Sequence, residues 1–210
     1  SAGCGAHIHL LLWRRQEDAF FDADAPMQLS KTGQYFVGGV LKHIQGLLAL
    51  TCPSANSYQR LAPGHWGSAY ATYGKDNREA AVRIPSTAWE DPASSMNIEL
   101  KASDATANPY LAFAGSLAAG LDGIQHQTQP GDYCDVDPAT LSEAQRNEMG
   151  IHCLPQSLNQ AVDAFVTDSL FHDVFGPQLI DAYAKIKRED DQYYSKLALE
   201  KIAALHRELY

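Results

Sequence analysis

Three features of this 210-residue chain predict an α+β fold. The order runs strands first and helices later. One run, "MNIELKAS", sets Met96, Ile98 and Leu100 against Asn97, Glu99, Lys101 and Ser103. Such alternation belongs to an antiparallel strand with one face on a core and the other, carrying the ionisable groups, in water. From Pro138 onward the apolar spacing turns helical.

The elements follow in order. "GCGAHIHLLLW" opens with a glycine-rich turn and continues as a strand, in which His7 and His9 share one face and Ile8, Leu10 and Leu12 the other. After a polar, turn-rich stretch, residues 32–50 form a helix with Phe36, Val40, Ile44, Leu47 and Leu48 at helical spacing. "TCPSANSYQRLAPGHWGS" carries two prolines among Ser and Gly, so it reads as a long ordered loop, a length that usually goes with function. "SAYATYG", "AAVRIP" and "MNIELKAS" are strands separated by turn-rich breaks. "ANPYLAFAGSLAAGLDGI" is a helix with Asn108 as its N-cap and Pro109 in its first turn, small or apolar nearly all round and therefore expected beneath the sheet. The helices of the end are "SLNQAVDAFVTD", "PQLIDAYAKIKRED" and a last segment striped by Leu197, Ile202, Leu205 and Leu209.

An apolar share of 45% is that of an ordinary globular chain, and 210 residues suffice for a sizeable core. The formal charge of −9, with no clustering of Lys and Arg, argues against nucleic acid as a partner. No run reaches the roughly 18 apolar residues of a membrane span. Four dispersed cysteines without a C-x-x-C pair favour reduced thiols in a cytoplasmic protein. The chain does not begin with Met and enters a strand almost at once, so it is expected to be part of a longer protein.

Two sets of residues invite chemistry. His7, His9 and Glu99 offer imidazole and carboxylate donors, half a coordination shell for a divalent cation if facing strands bring them together. For an isolated H-x-H the plainer reading is two partly buried histidines satisfied by hydrogen bonds. Arg60, Arg78 and Arg83 fall within a short span of loop and strand; guanidinium groups stay charged when desolvated and grip carboxylate or phosphate with two N–H groups. Surface salt bridges are the plainer use of such arginines. The "GCG" at residues 3–5 precedes a strand rather than a helix, so it reads as a tight turn whose bare backbone can lie against a ligand.

Taken together, "GCGAHIHLLLW", "NSYQRLAPG", "YGKDNREAAVRIP", "NIELKASDATANPYLAFAGSLAAGLDGI" and "FGPQLIDAYAKIKRED" resemble, in order and over the whole chain, the C-terminal part of the catalytic domain of glutamine synthetases. The resemblance is nearest to the glutamine-synthetase-like branch that includes γ-glutamyl-amine ligases. It implies a curved antiparallel sheet with packed helices and a helical C-terminal region. It also implies an ATP- and Mg²⁺- or Mn²⁺-dependent ligase that joins the γ-carboxylate of glutamate to ammonia or another amine by way of a γ-glutamyl phosphate. By the same resemblance the protein is cytoplasmic and assembles as a decameric or dodecameric ring. His7 and Glu99 would be metal ligands, His9 would sit by the nucleotide, and the Gly3 backbone by bound glutamate. Arg60 would grip the substrate carboxylate, Arg78 would touch both the transferred phosphoryl group and the substrate, and Arg83 would face the nucleotide phosphates.

The chain departs from the family at several places. Trp66 stands where the family carries a Glu that closes the site and helps deprotonate ammonium; an indole cannot accept that proton, which moves weight toward a larger amine. Lys101 stands for a substrate-contacting Arg, exchanging a fork for a point charge. No Lys or Arg lies between Arg83 and Glu99. The β-grasp domain and the first part of the catalytic domain, which bring further metal-binding glutamates, are expected outside residues 1–210, so this chain alone is expected to be inactive. These departures also leave open a second reading, a non-catalytic relative retained as a scaffolding oligomer.

Overall fold

A computed structural model describes residues 5–64 and 68–209. The first strand, β1 (Gly5–Leu10), is followed by a small hairpin of β2 (Trp13–Arg14) and β3 (Glu17–Asp18). Helix α1 (Lys31–Thr51) starts at Ser30, whose side chain accepts the Gly33 N–H at 3.1 Å, a cap worth about 1 kcal/mol. The predicted apolar row of Phe36, Val40, Ile44, Leu47 and Leu48 is fully buried along it. The loop after α1 makes one 3₁₀ turn at Ser57–Gln59 before β4 (Tyr70–Lys75). Then come β5 (Ala80–Ile84), a one-turn α2 (Pro92–Ser95), β6 (Ile98–Asp104) and α3 (Pro109–His126). The remainder holds α4 (Glu143–Glu148), β7 (His152–Cys153), α5 (Leu158–Thr167), α6 (Ser169–Tyr194) and α7 (Leu199–Leu209).

The main sheet runs β1-β6-β5-β4-β7. Its pairs are antiparallel, as expected, except β4 with β5, which run parallel. Only residues 76–79 separate those two strands, and the chain doubles back within them through turns at Asp76 and at Arg78 and Glu79. The turn is made at Asp76, which adopts φ 51° and donates its N–H to Ile84 O at 3.0 Å.

One face of the sheet lies on α1. Ile98, Leu100 and Ala102 of β6 and Val82 and Ile84 of β5 join Val40, Ile44 and Leu47 in a single core, extended by Phe165 and Phe171. The Asn108 side chain caps α3 as expected, accepting from the N–H groups of Tyr110 and Leu111. The placement of α3 beneath the sheet is not borne out: it packs on the far side of α1 and leaves Tyr110, Phe113, Leu117 and Leu121 exposed. Gly39 and Gly123 explain the choice. Their backbones touch at the crossing, where a Cβ on Gly39 would lie 2.1 Å from Ala119 O and one on Gly123 2.1 Å from Tyr35 O. Small residues on α3 therefore serve a close helix–helix approach. The predicted helix at "PQLIDAY" begins earlier, at Ser169, and bends where Gly176 takes φ 75° ahead of Pro177.

Candidate active site

The other face of the sheet carries the ionisable groups: His7 and His9 on β1 are exposed, but the groups on β6 are not wet. On β6, Glu99 is 1% and Lys101 3% exposed, which corrects the expectation of a solvent-facing row. The loop after α1 folds over this face. Arg60 lies across Gly5, where a Cβ would sit 3.4 Å from its guanidinium, and donates from Nη2 to Ser103 O at 2.8 Å. Alternation set the direction of these side chains, but that the face they point to is covered is announced by no local pattern.

Glu99 is the meeting point. Register pairs it with His9 on β1 and with Arg83 on β5. His7 Nδ1 lies 2.6 Å from Glu99 Oε1, His9 Nε2 lies 3.8 Å from the same oxygen, and Arg83 Nε lies 2.7 Å from Oε2. The Arg83 contact is an ion pair without hydrogen-bond alignment, so each atom keeps an unmatched bonding direction. The structure thus brings His7, His9, Arg83 and Glu99 into one cluster across three strands. Burial and the charges of Lys101 and Arg83 hold the His7 imidazole below its ordinary value against the upward pull of Glu99. A neutral ring nitrogen this close to a carboxylate oxygen marks a place for a shared proton or a cation. Among the described residues no group of three His, Cys, Asp or Glu converges on one point, so a divalent ion would find two ligands here and need the rest from elsewhere.

The remaining candidates surround this cluster at different depths. Lys101 is buried on the same face, and among the described residues its ammonium has no hydrogen-bond or ion-pair partner; burial lowers its pKa, with Arg83 and Arg60 adding to the effect and Glu99 and Glu79 opposing it. Arg60 Nη2 lies 3.9 Å from Asp104 Oδ2. Arg78 is exposed on the 76–79 segment. Gly3 and Trp66 lie outside the described residues.

Sequence reasoning passed over two supporting residues. The Asn97 side chain holds His9 Nδ1 at 2.8 Å and so orients that ring. Asn77 is buried beside Arg78; its amide donates to Cys134 O at 2.6 Å and Val136 O at 2.9 Å while its oxygen accepts the Glu79 N–H at 2.9 Å. A signal existed for the first: N-x-E opposite H-x-H has the i, i+2 spacing that aligns side chains across antiparallel strands. For the second there was none, because the carbonyls its amide serves lie more than 50 residues downstream.

Comparison with known proteins is decisive for ancestry. Residues 1–203 match the family described as "Glutamine synthetase, catalytic domain". The chain belongs to the glutamine synthetase family. Glutamine synthetase of Pyrococcus abyssi is 38% identical over 204 residues, 97% of this chain and 44% of that protein. Glutamine synthetase of Streptomyces coelicolor is 40% identical over 192 residues, 90% of this chain and 40% of that protein. A crystal structure described as a novel glutamine synthase homolog superposes with a TM-score of 0.81 at 33% identity, covering 98% of this chain and 45% of that one. An ADP complex of GmaS gives 0.78 at 36% identity, covering 94% and 44%. The chain thus spans less than half the length of these glutamine synthetase relatives. Among the described residues no helix is long and apolar enough to cross a membrane.

Proposed function

We propose that the protein carrying this chain is an ATP-dependent ligase that joins the γ-carboxylate of glutamate to ammonia or another amine, with residues 1–210 as the C-terminal part of its catalytic domain. One observation carries the reading: the buried carboxylate of Glu99 gathers His7, His9 and Arg83 on a single face of the sheet. In the reaction a γ-carboxylate oxygen of glutamate attacks the terminal phosphorus of ATP and ADP departs. The amine nitrogen then attacks the acyl carbon, phosphate leaves, and the nitrogen gives up a proton. Both steps gather negative charge on phosphoryl oxygens, so cationic groups held in place beforehand supply most of the catalysis.

His7 and Glu99 would hold Mg²⁺ or Mn²⁺, which when bound supplies charge neutralisation at the phosphates. Arg83, anchored by Glu99, faces the nucleotide phosphates. Arg78 contacts the transferred phosphoryl group and the substrate, and Arg60 and Lys101 take substrate carboxylate. His9, its ring set by Asn97, lies against the nucleotide. The Gly3 backbone and Trp66 complete the substrate side. The existence of an ADP complex for the similar GmaS supports use of a nucleotide by this protein. The indole of Trp66, which accepts no proton, favours an acceptor larger than ammonium. Assembly as a ring and residence in the cytoplasm belong to the same proposal.

The test is glutamate- and ATP-dependent phosphate release by the full-length protein, with Mg²⁺, against ammonium and a panel of mono- and polyamines. Release that depends on an amine supports the ligase, and turnover with ammonium alone removes the larger-amine preference. Calorimetric titration showing no nucleotide binding overturns the ligase in favour of a scaffold.

A further inference from the structure

Among the described residues three carboxylates are buried: Glu79, Glu99 and Asp104. Glu99 is held between His7 and Arg83. Asp104 serves the turn beyond β6, where its Oδ1 accepts from the Thr106 N–H at 3.0 Å and from Thr106 Oγ1 at 2.6 Å. Glu79 is 9% exposed and has no task in the reaction as set out above. Taking an ionised carboxylate out of water is costly, so one kept at the edge of a site asks for a chemical reason.

Glu79 directly follows Arg78 and leads into β5, and the Asn77 oxygen fixes its backbone by accepting its N–H at 2.9 Å. Alternation gives Glu79 the direction of Arg83, four residues on, toward the face of Glu99 and Lys101. The antiparallel β5–β6 ladder pairs Val82 with Leu100 and Arg83 with Glu99, so the start of β5 lies toward the Ser103 end of β6. At that end Arg60 donates to Ser103 O at 2.8 Å, and Ser68, where the loop after α1 returns to the sheet, donates from Oγ to Ala80 O at 2.7 Å. Burial lowers the Lys101 pKa, and the charges of Glu99 and Glu79 oppose it, so the Glu79 carboxylate is within electrostatic reach of that ammonium. Glu79 thus adjoins both groups of cations assigned above: Arg78 and Arg83 for phosphoryl oxygens, and Arg60 and Lys101 for substrate carboxylate. An acyl phosphate gripped by both groups has its acyl carbon in the interval beside Glu79.

We propose that Glu79 is the general base that takes a proton from the acceptor amine, an inference that deepens the ligase reading above and rests on it. Ammonium and alkylammonium ions have no lone pair on nitrogen until one proton leaves, and the indole of Trp66 accepts none. The nitrogen passes that proton to a carboxylate oxygen of Glu79, and its freed lone pair forms the bond to the acyl carbon. The bond from this carbon to the phosphate oxygen breaks, with its electron pair going to phosphate. The second nitrogen proton leaves with the phosphate, and Glu79 returns its own to water. Before the transfer the same carboxylate holds the cationic acceptor by charge, so the site takes amines that arrive protonated.

The experiment compares wild type, Glu79→Gln and Glu79→Asp in the full-length protein with glutamate, ATP and Mg²⁺, following phosphate release and thermal unfolding. Two acceptors are set side by side. One is whichever of ammonium and the alkylamines the wild type uses best; the other is hydroxylamine, which is largely unprotonated at neutral pH and needs no base to free its lone pair. Glutamine keeps the shape of glutamate and cannot take the proton. Glu79→Gln lowers kcat/KM for the protonated acceptor about 100-fold and for hydroxylamine less than about threefold, the difference that general-base catalysis makes. Glu79→Asp, which keeps a carboxylate, loses less than Glu79→Gln with the protonated acceptor, and KM for ATP and Tm stay near wild type in both. An active wild type whose Glu79→Gln variant keeps its rate with both acceptors overturns the base alone. Equal losses with the two acceptors, whatever the Tm, also overturn it, because Glu79 then shapes the site without taking a proton. A wild type that releases no phosphate with any acceptor overturns the ligase reading and the base together.

Discussion

Arg83 and Glu99 are partners twice over: they face each other in the β5–β6 ladder, and their side chains meet with Nε 2.7 Å from Oε2. The carboxylate is 2% exposed and the guanidinium-bearing side chain 25%, so the anion is the deeper of the two. A buried anion is stabilised only while its cation stays, and the cation is aimed by that anion.

Glu99→Gln therefore has a double effect. Loss of the charge costs about 2 kcal/mol, below the range for fully buried pairs because water reaches part of Arg83. Under the proposed ligase reading it also removes a carboxylate proposed to hold the metal, so Mg²⁺-dependent phosphate release falls about 100-fold or more. Urea unfolding at fixed pH and a metal titration of the full-length variant check the two effects separately.

Asn77 makes three hydrogen bonds around the segment that carries Arg78. Asn77→Ala leaves the carbonyls of Cys134 and Val136 unmatched and loosens the only short path between the parallel strands β4 and β5. The expected loss is about 2 kcal/mol in stability, together with a fall in kcat larger than any rise in KM for ATP. Steady-state kinetics beside a denaturation curve distinguishes loosening of Arg78 from general unfolding.

His43 joins three helices. Its Nδ1 lies 2.6 Å from Asp168 at the start of α6, and its Nε2 3.0 Å from Asp122 of α3. Burial pulls its pKa down, yet the two carboxylates outweigh burial and hold it above the ordinary histidine value. Asp122 sits at about 2: burial raises it, but Lys42 and His43 bring it down further. Because the histidine is raised in the fold, its contribution is complete below about pH 6.5 and is lost as pH climbs through the raised value. Because the carboxylate is depressed, its contribution is complete above about pH 4 and is lost as pH falls toward the folded value. Tm is thus greatest between those limits, and His43→Gln abolishes the alkaline part of the decline. Lys42, on Asp122 Oδ2 at 2.9 Å, and His126, on Oδ1 at 2.9 Å, share the same carboxylate, so Lys42→Met serves as the control.

Gly39→Ala tests the helix crossing. A methyl there meets Ala119 O and the backbone of Gly123, neither of which is the free end of a side chain. The helices must part, at a cost of about 3 kcal/mol or more. A urea midpoint well below wild type, with helical signal retained at low urea, is the expected result.

Much of this molecule was legible one segment at a time. Asn108 and Pro109 announced the start of α3, the spacing of Phe36 to Leu48 announced α1, and the alternation around Glu99 announced β6 and the shared direction of Glu99 and Lys101. The motifs also sufficed to point to the family, because their types and order survive at 38% identity to a Pyrococcus abyssi relative.

What the amino-acid order determined by itself was thus the set of elements and the chemical groups they carry, since periodicity, capping and turn formation act over a few residues. Only the tertiary structure decided that the groups meet: that His7 reaches Glu99 from the far end of the chain's first hundred residues, that Lys101 is buried rather than wet, that β4 and β5 run parallel, and that His43 is gripped by two aspartates. Those outcomes depend on strand register and on which distant loop closes over which face. Both are set by the packing of the whole core, and no window of neighbouring residues contains it.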